Sequence, residues 1–181
     1  MKKQPEITTQ TKQNFVDAFW SLYKTNKIEN ITVKQITDIA GYNRATFYRY
    51  FENVYQILEY IENALLKSID TTFHQSVLNH SNDISVENFI TEFNKQGEYI
   101  SILFSEKGDP YFVSKYKMLI KKNVKFFLPN YSTKQDLILE ASISAIISSI
   151  IYWYNNQDKI SIEELAILLR KIAFLNQKTS N

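Results

Sequence analysis

The residues best suited to chemistry stand close together. Between Arg44 and Phe51 the chain reads RATFYRYF, and on a helix Phe47 and Phe51 turn inward while Arg44, Thr46, Tyr48 and Arg49 stay outside. Two guanidinium groups and two hydroxyls with no acid among them make a donor surface. Such a surface suits phosphate oxygens and the acceptor edges of bases, which a guanidinium meets with paired N–H bonds. No comparable grouping points to catalysis. His74 and His80 do not share a helical face, and the absence of cysteine leaves few metal-binding options. Asp70 and His74 are i, i+4 neighbours, most simply a local polar pair. Gly41, Gly97 and Gly108 are too scattered for a phosphate-binding loop. The chain therefore reads as a non-enzyme with no metal site and no cofactor.

The elements that must hold the donor surface are written around it. Thr32 followed by Gln35 is a capping box, which satisfies the first free amides of a helix reciprocally. Val33, Ile36 and Ala40 then repeat at helical spacing. Gly41 stands where that helix stops, since glycine takes the left-handed conformation of a sharp reversal without a Cβ penalty. Asn43 is an N-cap for a second helix, Arg44 to Tyr50. Upstream, Phe15, Ala18, Phe19 and Leu22 form an i, i+3, i+4, i+7 stripe on a helix from Thr9 to about Thr25 that would cover the pair. Lys27 to Asn30 is a short polar connection. Three helices so arranged present a recognition helix rigidly. Thr32 and Lys34 begin the preceding helix, where free backbone amides favour phosphate.

This stretch, Ile31 to Phe51, resembles the helix-turn-helix of the TetR family of transcriptional regulators. Thr32, Ile36, Ala40-Gly41, Thr46, Tyr48 and Tyr50-Phe51 match that family's signature without insertion. The departures are Thr37 where a small Ala is usual, Ile39 where a polar residue is usual, and Val54 where the family has a Lys. Loss of that cation predicts a weaker salt dependence of DNA binding than in a member that keeps it. The resemblance implies a double-stranded DNA operator, palindromic and bound by a homodimer, and an unknown small-molecule effector. It assigns the hydroxyls of Thr46 and Tyr48 to phosphates and makes Tyr50 a further contact position. Arg44, early on the recognition helix, is then the candidate guanine contact, with Asn43, Arg49, Lys34 and Thr32 completing the set. For Tyr50 the competing reading is a ring packed in the small core.

Charge is distributed in keeping with this. Of a net +2, bases outnumber acids eight to six in the first 60 residues and balance at thirteen each thereafter. The absence of cysteine excludes a disulfide framework and fits a reducing cytoplasm. Met1-Lys2-Lys3 is followed by Gln4, Pro5 and Glu6 instead of an apolar stretch, which argues against secretion. The longest uncharged run, Ala141 to Gln157, is short for a membrane span and broken by Ser142, Ser144, Ser148 and Ser149. It predicts a helix buried in protein and no membrane partner.

Downstream, Asn53 with Gln56 is another capping pattern, and Val54, Ile57, Leu58, Ile61, Leu65, Ile69 and Phe73 continue at helical period to about Leu78. A helix this long belongs to both regions and is a physical link between them. Asn79 to Asp83 reads as a break. Further helices run from Ser85 to about Phe104, from Pro110 to a stop at Pro129-Asn130, from Thr133 to Tyr154, and onward from a cap at Ser161 with Glu164. The expected fold is all-α: a helix-turn-helix DNA-binding domain at residues 1–52 joined by the long helix to a helical effector-binding and dimerisation domain at 53–181.

The last two helices are apolar over much of their circumference and would pair with their copies as a four-helix bundle, the competing reading being an intrachain core. For the effector, Tyr99, Phe104, Tyr116, Phe126 and Trp153 are candidate pocket residues, each otherwise plain core. The Leu-Pro-x-Tyr segment at Leu128 to Tyr131, before a helix ending near Tyr152-Trp153-Tyr154, is similar to a branch that includes regulators of dihydroxyacetone kinase operons. The resulting expectation is a DNA-binding regulator, a repressor released or repositioned by a small molecule. One rival is a ligand-independent coregulator or activator working through a protein partner. The other is an all-helical enzyme whose hairpin only resembles a DNA module.

Overall fold

The computed structural model describes residues 5–78, 86–127 and 132–174. Among them the chain forms helices and no strand. In order these are α1 (Pro5–Tyr23), a short 3-10 turn (Ile28–Asn30), α2 (Val33–Ala40), α3 (Arg44–Phe47), α4 (Val54–Leu78), α5 (Val86–Leu103), α6 (Pro110–Phe127), α7 (Thr133–Tyr154) and α8 (Ile162–Phe174). The expected break at 79–83, the cap at Ser85, the stop at Pro129-Asn130 and the Leu128–Tyr131 segment lie outside the described residues.

Two compact units make up the chain, Met1–Ala64 and Leu65–Asn181. The first reaches beyond residue 52 because the opening turns of α4 supply Val54, Ile57, Leu58 and Ile61 to its core. In that unit Phe15, Ala18 and Phe19 of the α1 stripe are buried as their spacing requires, while Leu22 is half-buried and the neighbouring Tyr23, outside the expected stripe, is fully covered. Phe15 is the meeting point of the turn and α3, with ring centroids 5.2 Å from Tyr42, 5.3 Å from Phe47 and 6.1 Å from Tyr50. Burying aromatic side chains at this density is the main force holding so small a unit together.

The second unit has its own core, in which Phe93 of α5, Ile150 and Trp153 of α7, and Leu165 and Leu169 of α8 come together. Trp153 stands edge-on to Phe93 at 5.4 Å and donates Nε1–H to the carbonyl of Ile160 at 2.7 Å, which pins the α7–α8 connection. Between α5 and α6 the chain turns at Gly108, where any Cβ would collide with the carbonyl of Leu103. α6 is tied to α7 by a ladder of charges. Lys117 meets Glu140 and the hydroxyl of Ser144, Lys121 lies 3.1 Å from Asp136 and 2.9 Å from Glu140, and Lys125 lies 3.4 Å from Asp136. The second half of α4 is held by side chains from both neighbours. Gln96 of α5 donates to Ser68 at 2.6 Å, and the buried Asn123 of α6 donates to Asp70 at 2.8 Å.

α7 runs from Thr133 to Tyr154 as its pattern predicted, behind an N-cap at Ser132 that makes a full capping box with Gln135. It departs from expectation in one way, because the helix is not sunk in its own chain. It is long and apolar enough to cross a membrane by length and composition, and only 22% of its apolar window is buried. Ile143, Ile147, Ile150 and Trp153 face inward, while Leu137, Ala141, Ala145, Ser148 and Tyr152 form an exposed stripe on the other side. The ion pairs of its first turns and the packing of its inner face fix it in a helical layer.

Candidate functional site

Local sequence positions the donor surface residue by residue. The hydroxyl of Thr32 accepts the amide of Gln35 at 3.3 Å, and the Gln35 side chain returns to the Thr32 amide at 2.8 Å, so α2 begins where its capping box dictates. Thr37 is buried, and its hydroxyl donates to the carbonyl of Lys34 at 3.0 Å, which is how α2 admits a polar residue where Ala is usual. Gly41 ends the helix at φ 74°, in the left-handed region, with its amide on Thr37 O. Asn43 then caps α3, its Oδ1 accepting the Thr46 amide at 2.8 Å.

α3 is shorter than its pattern predicted. Regular helix stops at Phe47, and Tyr48, Arg49 and Tyr50 continue as a tighter turn in which Arg49 N donates to Thr46 O and Tyr50 N to Phe47 O. Phe47 is fully buried, which turns the opposite side outward. Arg44, Tyr48 and Arg49 are exposed, and their side chains make no hydrogen bond or ion pair among the described residues. Tyr48 exposes 57% of its surface while its ring is braced edge-on against Phe47 at 5.5 Å.

The remaining candidates are engaged in other ways. The Thr46 hydroxyl donates to Asn43 Oδ1 at 3.0 Å, so its hydrogen serves the cap. Thr32 likewise donates to Gln35 at 2.8 Å. Lys34 is exposed but paired with Asp38 at 2.7 Å. Asn43 uses its oxygen for capping and keeps its amide hydrogens for another acceptor. Tyr50 is half-buried with its ring against Phe15, so it packs on the small core while keeping part of its surface accessible. Val54 is buried at the start of α4, and Ile39 is exposed on α2. Tyr42 did not figure among the sequence candidates, although an aromatic residue inside a tight turn was the available signal. Its hydroxyl accepts from Asn14 Nδ2 at 3.2 Å and ties the turn to α1.

In the second unit the five aromatic candidates separate. Phe104 and Tyr116 meet at 5.0 Å, with Phe112 at 5.5 Å from Phe104. Trp153 belongs to the core around Phe93, away from that group's ring contacts, and its indole hydrogen is already bonded. Tyr99 is half-buried. Phe126 is 77% exposed, so it faces outward and lines no interior of the single chain. Desolvation pushes the phenol of Tyr116 up to about 12. His74 stands 3.7 Å from Asp70, a loose local pair, and among the described residues no three His, Asp or Glu side chains gather as metal ligands.

Comparison with known proteins bears on the fold and the family. A TetR-type family model, described as the transcriptional regulator C-terminal region, matches residues 85–174. A TetR transcriptional regulator from Streptococcus agalactiae 2603V is similar in structure, with a TM-score of 0.60 at 21% identity over 91% of this chain and 96% of that one. The fatty acid degradation regulator FadR from Bacillus halodurans gives a TM-score of 0.52 at 13% identity, with 100% of both chains covered. No curated protein sequence matches. The two structures speak for the all-helical fold, the family model for the C-terminal half, and the capped helix-turn-helix for the N-terminal part: the chain belongs to the TetR family of transcriptional regulators.

Proposed function

We propose that this regulator binds a palindromic DNA operator as a homodimer, represses transcription from it, and is released or repositioned by a small molecule held in the second unit. The observation that carries the reading is the outer side of α3, where Arg44, Tyr48 and Arg49 present unengaged donors on a helix fixed by its cap and by buried Phe47. Arg44 is the base-reading residue, and Tyr48, Arg49 and the Asn43 amide hold phosphate or sugar. The exposed stripe of α7, with Ile167 and Leu168 of α8, supports dimerisation through these two helices, and a two-fold protein matches a two-fold site. Repression follows from occupancy of promoter DNA, which needs no additional surface. Such a protein works in the cytoplasm as a binder, not as an enzyme.

The test is selection of bound duplexes from random DNA, then affinity of wild type and Arg44→Ala for the selected site and for unrelated duplex. An inverted repeat, and a loss of about 1–3 kcal/mol in Arg44→Ala on that site alone, is expected. No enriched sequence, or an equal loss on both duplexes, removes the base-reading role of Arg44 and with it this account of the site.

A further inference from the structure

Lys12 is a half-buried cation on α1 of the first unit, and among the described residues its ammonium makes no hydrogen bond or ion pair. Two aromatic rings take the place of a carboxylate. Lys12 Nζ lies 3.7 Å from the centroid of the Tyr60 ring on α4 and 5.3 Å from that of Phe51. The two rings meet edge to face at 6.0 Å, so one ammonium is shared by a pair of touching aromatics. The ring quadrupole attracts a cation so placed, and more strongly where water is excluded. Phe51 is 2% exposed and Tyr60 39%, which makes one wall dry and leaves the other half open.

The three side chains come from three elements. Phe51 closes the tight turn that carries Tyr48 and Arg49, with its amide on Phe47 O at 3.1 Å and its ring 5.9 Å from that of Phe47. Regular helix stops at Phe47, so the direction of Tyr48 and Arg49 depends on where Phe51 is held. Phe15 of α1 braces the beginning of this turn through Phe47 and also meets Tyr50. Lys12 braces its end, joining α1, Phe51 and α4 in one contact.

We infer that Lys12 is a positioning residue for DNA binding: its ammonium, clamped on Tyr60 and Phe51, fixes the turn that presents Tyr48 and Arg49 and does not itself meet phosphate. This rests on the DNA-binding reading proposed above. Phosphate is the competing use of a lysine in such a unit. The seat over Tyr60 argues against it, because an ammonium drawn off to phosphate would give up its contact with both rings.

The test measures affinity of the full-length protein and its variants for the duplex selected from random DNA, across a salt series and below the melting temperature. Circular dichroism and stoichiometric titration establish the folded, binding-competent fraction. Lys12→Met keeps the apolar stem and should weaken binding about fivefold, the worth of a cation–π contact, without changing the slope of log K against log salt. Tyr60→Leu removes the ring but leaves the charge, and should give the same loss. The double variant should lose no more than either single one, because both remove one contact. Lys12→Arg and Tyr60→Phe keep a cation over a ring and should stay within about twofold of wild type. A slope that falls by about one unit in Lys12→Met makes Lys12 a phosphate contact and overturns the inference. Full affinity in Tyr60→Leu, additive losses in the double variant, or a loss in Lys12→Arg equal to that in Lys12→Met overturns it as well. Variants that melt lower but bind like wild type reduce the clamp to a stabilising contact and remove its role in binding. A wild-type protein that enriches no duplex removes the DNA-binding reading and this role together, whereas normal selection with unaffected variants removes this role alone.

Discussion

Lys34 Nζ lies 2.7 Å from Asp38 Oδ2, one turn apart on the exposed side of α2, with 67% and 61% of the two side chains open to solvent. An i, i+4 pair this exposed adds little to stability, but it holds the cation beside a carboxylate that phosphate must displace. Asp38→Asn is therefore expected to leave the melting temperature nearly unchanged and to tighten binding to any duplex. The slope of log K against log salt should steepen by up to about one unit, as for one added phosphate contact. Fluorescence anisotropy across a salt series checks this, and an unchanged slope places Lys34 away from DNA.

Asn43 caps α3 with its oxygen, which receives both the amide and the hydroxyl of Thr46, and in the proposed site the same side chain also meets DNA. Asn43→Ala should cost about 1 kcal/mol of stability, the usual worth of an N-cap, and weaken binding to all duplexes. Asn43→Asp keeps the acceptor but brings a carboxylate to the DNA-facing side. Its melting temperature should hold while DNA affinity falls on the order of tenfold at low salt, about 1.4 kcal/mol. Equal thermal losses in both variants would show that the cap geometry, not the charge, controls the site.

The exposed stripe of α7 predicts the oligomer. Leu137 and Tyr152 expose 71% and 61% of their surfaces at its two ends, with Ala141, Ala145 and Ser148 between them, and Ile167 and Leu168 lie exposed on α8. A contiguous apolar face of this kind is seldom left in water. Tyr152→Glu combined with Leu168→Glu should convert a dimer to a helical monomer by light scattering and circular dichroism. Operator affinity should fall more than about tenfold, since two half-sites no longer bind as one. A double variant that remains dimeric moves the interface elsewhere.

What could be read in advance follows the range of the forces involved. The capping box at Thr32 and Gln35, the reversal at Gly41 and the cap at Asn43 are set by neighbours within five residues, and each stands where its pattern put it. The burial of Phe15, Ala18 and Phe19 was equally legible from spacing, whereas the last turn of α1 buries Tyr23 more fully than the expected Leu22. Pairing was less so. That Thr46 gives its hydrogen to Asn43 depends on a rotamer, which periodicity does not report. Phe104, just past α5, and Phe126, at the end of α6, look alike in sequence, yet one is buried against Tyr116 and the other faces out, because tertiary packing decides the side. The Lys34–Asp38 pair had a visible i, i+4 signal, overshadowed by the DNA role assigned to Lys34.

Glu140 is the centre of the α6–α7 ladder and gives it a defined pH range. Hydrogen bonds from Lys117 first and Lys121 second hold its carboxyl below the ordinary 4.5, with desolvation opposing them. Bonds to Glu140 and then Asp136 raise Lys121 above the ordinary 10.5. A lowered carboxyl contributes stability that is present above its unfolded value and lost as pH falls through its folded one. A raised ammonium contributes below its unfolded value and loses this as pH climbs through its folded one. The ladder is therefore complete at neutral pH, and its carboxylate part fails below 4.5. Glu140→Gln should lower the melting temperature by about 1–3 °C at neutral pH, a small effect because these groups are partly solvated. The difference from wild type should shrink in acid and in about 1 M salt, where the screening length falls to roughly 3 Å. A gap that persists under both conditions would mean that Glu140 acts through packing and not through its charge.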